Sequence, residues 1–343
     1  MDFGKLPEHI YQRSVEKVIH TTEYRKITIN GAGLGADCAI LPDENGYLVT
    51  AQGSADGADV KVAMRAFYAG LNKLAATGVF PEQSSVCASL NVAAPHSLTD
   101  EERNKSEMHL RECIRWASEA ALTNKVTIIS AEVNIVPAMH TYYATASFTA
   151  RAGQNAFAFM QSEKADKDVV MTKWMGLEGT SLIASARMQE LAARYPLGLV
   201  EQAADFDRFL SVIPEAATAV QSGVSAIMQA VREGGVFGGL WQLAKANGVG
   251  LVIDLKQIPV KQETIEVCEF YDVNPYELLS GGSMLMITQG GTRLVSQLAE
   301  QGISAAVIGR TTDNNDRILV NDEEKRFLEP ARHDSLYRVL ATS

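Results

Sequence analysis

The chain has 343 residues, of which 46% are hydrophobic and 21% charged, an ordinary globular balance with room for two domains. Lys and Arg number 31 against 41 Asp and Glu, so the net charge is −10, and such a surface repels phosphate backbones; a general nucleic-acid binder is not expected. No apolar run is long enough to span a membrane, the N-terminus lacks a signal peptide's apolar stretch, and Cys38, Cys87, Cys113 and Cys268 are too scattered for a zinc site, so a cytoplasmic protein with reduced thiols is expected.

Apolar residues at Leu6, Ile10, Val15 and Ile19 predict a loosely amphipathic helix over 5–20. A glycine-rich stretch, Gly31-Ala-Gly33-Leu-Gly35-Ala-Asp37, then leads into apolar runs at 38–41 and 47–51. Asp43-Glu-Asn-Gly46 between these runs predicts a hairpin. A helix rich in small residues follows over 60–77, then a strand at 85–93. Thr99-Asp-Glu-Glu102 reads as a capping box opening a helix that runs to about Thr123. Val126–Ser130 predicts a short buried strand, and Tyr142–Arg151 another strand.

Residues 152–167 read as a linker. The second half alternates strands at 168–172, 251–255, 283–288, 305–309 and 318–320 with helices at 179–195, 240–247 (ended by Gly248), 262–271 and 292–301, and 214–223 and 227–231 read as further short elements. Alternation in both halves predicts an α+β (α/β) protein of two similar-sized domains.

Four motifs carry candidate chemistry. Gly31–Asp37 could bring backbone amides to phosphate oxygens beside a metal-holding carboxylate, but it fits neither a P-loop nor a Rossmann fingerprint, and a tight turn is the simpler alternative. Gly234-Gly-Val-Phe-Gly-Gly239 before a helix reads as an anion site or as close helix packing. Ser280-Gly-Gly-Ser-Met284 reads as a ligand-closing loop or a plain turn. The acids Asp37, Asp56, Asp59 and Glu132 could converge on Mg²⁺ or could be solvated surface charges. The histidines, His96 and His140 among them, suggest no catalytic pair.

Taken in order, the motifs are more specific: Gly35-Ala-Asp37-Cys-Ala-Ile40, Asn72-Lys-Leu-Ala-Ala-Thr-Gly78, a strand ending near Glu132, Gly234–Leu240, Gly248-Val-Gly-Leu251, Ile258-Pro-Val260, Asn274-Pro275 and Ser280–Met284. This order resembles the superfamily of aminoimidazole ribonucleotide (AIR) synthetase, the hydrogenase maturation factor HypE, selenophosphate synthetase and thiamine-monophosphate kinase, and within it the HypE-like members. The resemblance runs over nearly the whole chain and is strongest over Glu233–Gly309.

It implies a PurM-like fold: an N-terminal domain over 1–155 with a four-stranded sheet that pairs with a second copy into a dimeric β-barrel, and an AIR synthase-like C-terminal domain over 165–330. It further implies a cytoplasmic homodimer with ATP or another nucleotide between the domains, phosphoryl transfer to a substrate oxygen, and a paralogous or maturation partner protein. The cleft residues it implies are Gly33, Gly35, Asp37, Asn72, Lys73, Glu132, Gly234 and Gly235, with Asp37 and Glu132 as metal ligands.

The chain departs from the superfamily's acid pattern. An Asp-Asp pair is replaced by Ala36-Asp37, a strand-end Asp by Gly53, Asn-Asp-Leu by Asn72-Lys73-Leu74, and Gly-Asp by Ala131-Glu132. His-Asp-x-Thr is replaced by Gln229-Ala-Val-Arg232, and the chain ends Leu-Ala-Thr-Ser343 where HypE proteins end in a carbamoyl-carrying Cys, which argues against hydrogenase maturation proper. At ~4 Å an ammonium repels Mg²⁺ by about 8 kcal/mol even at an effective dielectric of 20, so a weakened Mg²⁺ site is expected. Either Lys73 takes over part of the metal's role, pairing with Asp37 or Glu132, or it lies in a dead site. The chain then reads as an ATP-dependent enzyme with altered metal chemistry or as a degenerate nucleotide- or metabolite-binding regulator or partner subunit.

Overall fold

The computed structural model describes residues 6–19, 35–82, 84–97, 99–154, 156–157, 163–223, 226–330 and 334–340. Contacts divide the chain into two compact units, one built on Asp37–Ala156 and the other on the chain from Phe157 onward together with the N-terminal helical run.

Among the described residues the first unit is an open sheet of five strands, one more than the resemblance implies. In chain order they are β1 (Cys38–Asp43), β2 (Gly46–Gly57), β3 (Cys87–Ala94), β4 (Thr127–Ile135) and β5 (Tyr142–Ala152), in the spatial order β1-β2-β5-β3-β4. Asp43 pairs with Gly46, so the expected hairpin forms. Only β3 and β4 run parallel, and the Asp100–Thr123 helix makes the crossover between them. That helix opens as predicted: Thr99 Oγ1 accepts from Glu102 N and the Glu102 carboxylate accepts from Thr99 N.

One face of this sheet is buried. Alternate residues of β5 (Tyr142, Ala144, Ala146, Phe148 and Ala150) and of β3 (Ala88, Leu90, Val92 and Ala94) point inward. The Val62–Ala76 helix lies on this face and buries nearly its whole surface, which its small residues permit. It crosses β2 at Gly53, where a Cβ would stand 2.2 Å from Gly70 N. Phe148 fills the space beside the crossing, 5.1 Å from the Phe67 ring. The opposite face, which no described helix covers, carries Gln52, Ser54, Ser147, Thr149 and Asn91.

The strand expected to be short and buried at 126–130 is instead the nine-residue β4, exposed along almost all its length. It is an edge strand, and Ile129, Val133 and Ile135 stand in solvent. The apolar run that suggested burial reflects strand propensity alone.

The second unit holds a seven-stranded sheet of β6 (Asp168–Thr172), β7 (Ala226–Ala230), β8 (Gly250–Asp254), β9 (Met284–Thr288), β10 (Ala305–Thr312), β11 (Arg317–Asn321) and β12 (Glu324–Phe327). The spatial order is β12-β11-β8-β10-β6-β9-β7, and only β8 and β11 pair in parallel. The Gly235–Asn247 helix lays Val236, Leu240, Leu243 and Ala244 on Val169, Met171, Leu251, Ile253, Leu285 and Ile287. Gly248, in the left-handed conformation at φ 64°, ends that helix as the sequence predicts.

A second apolar cluster joins the Leu177–Ala186, Leu197–Ala204, Gln262–Phe270 and Leu336–Leu340 helices. The helix expected over 179–195 is two pieces, Leu177–Ala186 and Met188–Ala192, broken at Arg187. The N-terminal run Glu8–Ile19 is helical with a π-turn at Gln12–Glu16, which suits its loose periodicity. It packs within the second unit rather than the first: Glu8 accepts from Trp241 Nε1 at 3.0 Å and pairs with Lys245 at 3.1 Å. Among the described residues no helix is long and apolar enough to cross a membrane, and the four cysteines are free thiols.

Candidate functional site

In the first unit the candidate residues gather where β1 begins. Asp37 immediately precedes β1, and the Cys38 Sγ donates to the Lys73 carbonyl at 3.3 Å. Lys73 lies in the last turn of the Val62–Ala76 helix, and its ammonium donates to the Gln52 carbonyl at 2.9 Å. Asp37, Cys38, Gln52 and Lys73 therefore form one local group. Burial, and after it the Asp37 charge, push the Cys38 thiol well above the usual thiol range, so it is a packing group and not a nucleophile. Asn72, beside Lys73, is buried.

Glu132 does not join this group. It is exposed on β4, paired in register with Asn91. Strand spacing of about 4.8 Å sets β4 roughly 14 Å across the sheet from β2. Among the described residues Lys73 forms no ion pair with Asp37 or Glu132; its polar partner is the Gln52 carbonyl. Asp59 has its own cation: Arg65, itself buried, meets its carboxylate at 2.6 Å. Burial works against the Asp59 charge, and the guanidinium outweighs it, holding the carboxyl below the ordinary range. Gly53, aligned by resemblance with a strand-end acid, faces the helix crossing and not the open face, so no carboxylate fits there.

A divalent cation needs several hard oxygen ligands around one point. Asp37 and Glu132 of one chain do not supply it, and among the described residues no cluster of three or more Asp, Glu, His or Cys stands together. The described residues do not fit Mg²⁺.

In the second unit the glycine positions serve close packing. Gly35, at φ 80°, lies against the Gly235–Asn247 helix, where a Cβ would be 3.0 Å from Gln242 O. Gly33 lies outside the described residues. Gly234, at φ 75°, caps that helix, and its amide donates to Asp334 Oδ2 at 2.8 Å. Asp334 Oδ1 accepts from Leu279 N (3.1 Å) and Leu336 N (2.9 Å). Burial pushes this carboxyl up to about 7 against the pull of its three amide donors. Gly235 faces the Tyr276 carbonyl, 2.3 Å from where its Cβ would be.

Three charged residues flank these glycines, and sequence reasoning missed them as a group. Arg232 donates to Glu178 through Nε (2.9 Å) and Nη2 (2.8 Å), and through Nη1 to Glu233 at 2.5 Å. Burial pulls against the Arg232 charge, but the two carboxylates more than offset it and hold the guanidinium above its usual value. Gly281 passes so close to Glu178 that a Cβ would stand 2.1 Å from Oε2. Ser280 Oγ accepts from Gly176 N and donates to Leu278 O, so the Ser280–Ser283 segment is a pinned turn. The signal available in the sequence was the placement of Glu178 and Arg232 directly beside Gly176, Gly179, Gly234 and Gly235.

The family profile described as "AIR synthase related protein, C-terminal domain" matches residues 164–321. Comparison with curated proteins finds no match. Among solved structures, E. coli HypE, a hydrogenase maturation protein, superposes with a TM-score of 0.67 at 17% identity, over 86% of this chain and 90% of that one. HypE in complex with ATP gives 0.65 at 15%, covering 98% of both chains. AaThiL complexed with AMPPCP and TMP gives 0.66 at 14%, over 95% of this chain and 100% of that one. At these identities the likeness is one of fold. Residues 164–321 thus match the AIR synthase-related C-terminal domain, and the chain as a whole has the fold of HypE and AaThiL.

Proposed function

We propose that the chain is an ATP-using protein of the AIR synthetase superfamily in which the Lys73 ammonium meets the nucleotide phosphates in place of a carboxylate-held Mg²⁺. The observation that carries this reading is the anchoring of Lys73 Nζ on Gln52 O, beside Asp37 at the exit of the glycine-rich stretch. A lysine held by one carbonyl keeps two N–H bonds for phosphate oxygens. Support also comes from the shared fold, since one HypE structure holds ATP and AaThiL holds AMPPCP. On this reading the protein positions a phosphate and neutralises its charge for phosphoryl transfer to a substrate oxygen.

The test is ATP titration of the full chain by calorimetry, once with Mg²⁺ and once with excess EDTA. The expected result is affinity within about threefold between the two conditions, and a loss of at least about tenfold, or 1.4 kcal/mol, in Lys73→Ala. No binding in either condition overturns the reading.

A second reading, a nucleotide- or metabolite-binding regulator or partner subunit without turnover, is favoured by one observation. The Gly234 amide, which a bound phosphate would use, is already taken by Asp334. Phosphate release with ATP and Mg²⁺ separates the two: turnover supports the enzyme, and binding without release supports the regulator.

The finer proposal of a homodimer rests on β4. Its exposed Ile129, Val133 and Ile135 lie on a sheet edge that no other described strand pairs with, and a second copy would cover it. A monomer by light scattering at micromolar concentration overturns it.

A further inference from the structure

A cavity in the second unit lies outside the candidate site. It has a volume of about 570 Å³, a size typical of small-molecule sites, which run from about 300 to 1,000 Å³. Its floor is Leu255 and Leu319, both buried members of the sheet core. One wall is Tyr276, whose ring stacks on Phe237 with centroids 4.9 Å apart and 10° between planes. The Asn274 side chain accepts from Tyr276 N at 3.2 Å and fixes the turn that presents this ring.

Cations frame the opening. β12 pairs antiparallel with β11, and this register sets Arg326 opposite Leu319 and Lys325 opposite Val320. The Arg326 guanidinium lies 5.8 Å from the Phe237 ring. Lys256 reaches the rim from the turn after β8 and is held by Asp322 at 2.5 Å. Among the described residues neither Lys325 nor Arg326 has a carboxylate within ion-pair distance. The lining thus carries three cations, one of them (Lys256) already paired with Asp322, against the lining carboxylate Glu324, which leaves a net positive rim on a chain whose net charge is −10. Such a local reversal of sign over an apolar floor suits a ligand with two ends, one flat and apolar and one anionic.

We propose that this cavity binds a small organic anion carrying a flat apolar body, with an aryl phosphate or aryl carboxylate as the chemical class. The ring lies over Leu255 and Leu319 beside Tyr276, and the anionic group meets Arg326, Lys325 and Lys256. Guanidinium forks hold phosphate and carboxylate alike, and the lysines add charge without fixed geometry. None of these residues belongs to the nucleotide reading above, so the proposal stands apart from it.

The test titrates the full chain with phenyl phosphate, benzoate and inorganic phosphate, and separately with ATP. The variant is the double substitution Lys325→Ala/Arg326→Ala, whose sites are exposed strand positions, with circular dichroism confirming its fold. The expected results are saturable binding of phenyl phosphate or benzoate at least about tenfold tighter than inorganic phosphate, a loss of at least about tenfold in the double variant, and weakening with salt. Phenyl phosphate and benzoate separate the two head groups. ATP affinity is expected to be unchanged in the variant. The proposal is overturned by no saturable binding of either aryl probe, by inorganic phosphate binding as tightly, by an unaffected double variant, or by ATP affinity falling in step with the aryl probes.

Discussion

The Gly234 amide donates to the Asp334 carboxylate at 2.8 Å across 100 residues of sequence. A glycine-rich helix start reads in sequence as an open anion cradle. Here the protein supplies the acceptor itself: the Asp334 carboxyl stands at the positive end of the Gly235–Asn247 helix and closes it. The same carboxylate ties the Leu279 and Leu336 amides, so three chain segments meet on one side chain.

Asp334→Asn is therefore expected to destabilise the second unit. Both carboxylate oxygens accept from amides, and an Asn NH₂ would face a donor on one side. A buried unsatisfied donor costs about 1–3 kcal/mol, readable as a lower urea midpoint. The pH dependence has a definite sign. Burial raises the folded-state value to about 7 from an ordinary 3.8, so between these values the native state holds the proton more often than the unfolded state. Asp334's contribution is full below pH 3.8 and is lost as pH rises through about 7. The wild type should lose stability from pH 5 to pH 8 more steeply than Asp334→Asn; parallel profiles would count against this assignment.

Lys173 and Glu215 make a second testable pair. The Lys173 ammonium is nine-tenths buried and donates to Phe209 O (3.0 Å), Ser211 O (2.5 Å) and Gly282 O (3.1 Å), with Glu215 at 2.5 Å. Burial lowers the lysine and raises the glutamate, and each charge opposes the shift of the other. Lys173→Met strands a fully buried carboxylate and should cost about 3–5 kcal/mol. Adding Glu215→Leu should recover part of that loss in the double variant. A double variant as unstable as the two single losses summed would show that the residues act independently.

The parts of this fold legible in the sequence are the ones set within a few residues. The Asp43–Gly46 turn, the Thr99–Glu102 cap and the Gly248 stop are local chemistry, and each forms as read. Strand β12 was not legible, because Glu-Lys-Arg-Phe has no alternation and exists only by pairing with β11. The exposure of β4 was hidden for a related reason: Ile128 and Ile129 describe strand propensity, while burial depends on which strand takes the edge. Among the candidate site residues, Asp37 and Lys73 come together because β1 and the Val62–Ala76 helix both cross β2 near Gln52. Glu132 could not be placed from sequence, since its distance depends on strand order rather than spacing. Asp334 was invisible for the same reason, lying far along the chain from the helix it caps.

Gly53 separates a missing acid from a forbidden one. It faces the helix crossing, where a Cβ would stand 2.2 Å from Gly70 N and 2.3 Å from Ala66 O, both backbone atoms that cannot swing aside. Gly53→Ala must therefore push the Val62–Ala76 helix off β2, an overpacking cost of about 3 kcal/mol. Gly53→Asp adds a buried, unpaired carboxylate to the same clash and should fail to fold rather than restore a metal site. Gln52→Asp sets the carboxylate one residue earlier, on the exposed face of β2 and on the residue whose carbonyl holds Lys73. That variant is expected to keep the thermal midpoint within a few degrees of wild type, a shift worth about 1 kcal/mol or less. If Gly53→Asp melted with wild type while Gln52→Asp unfolded, the facing of β2 would be the reverse of the one described.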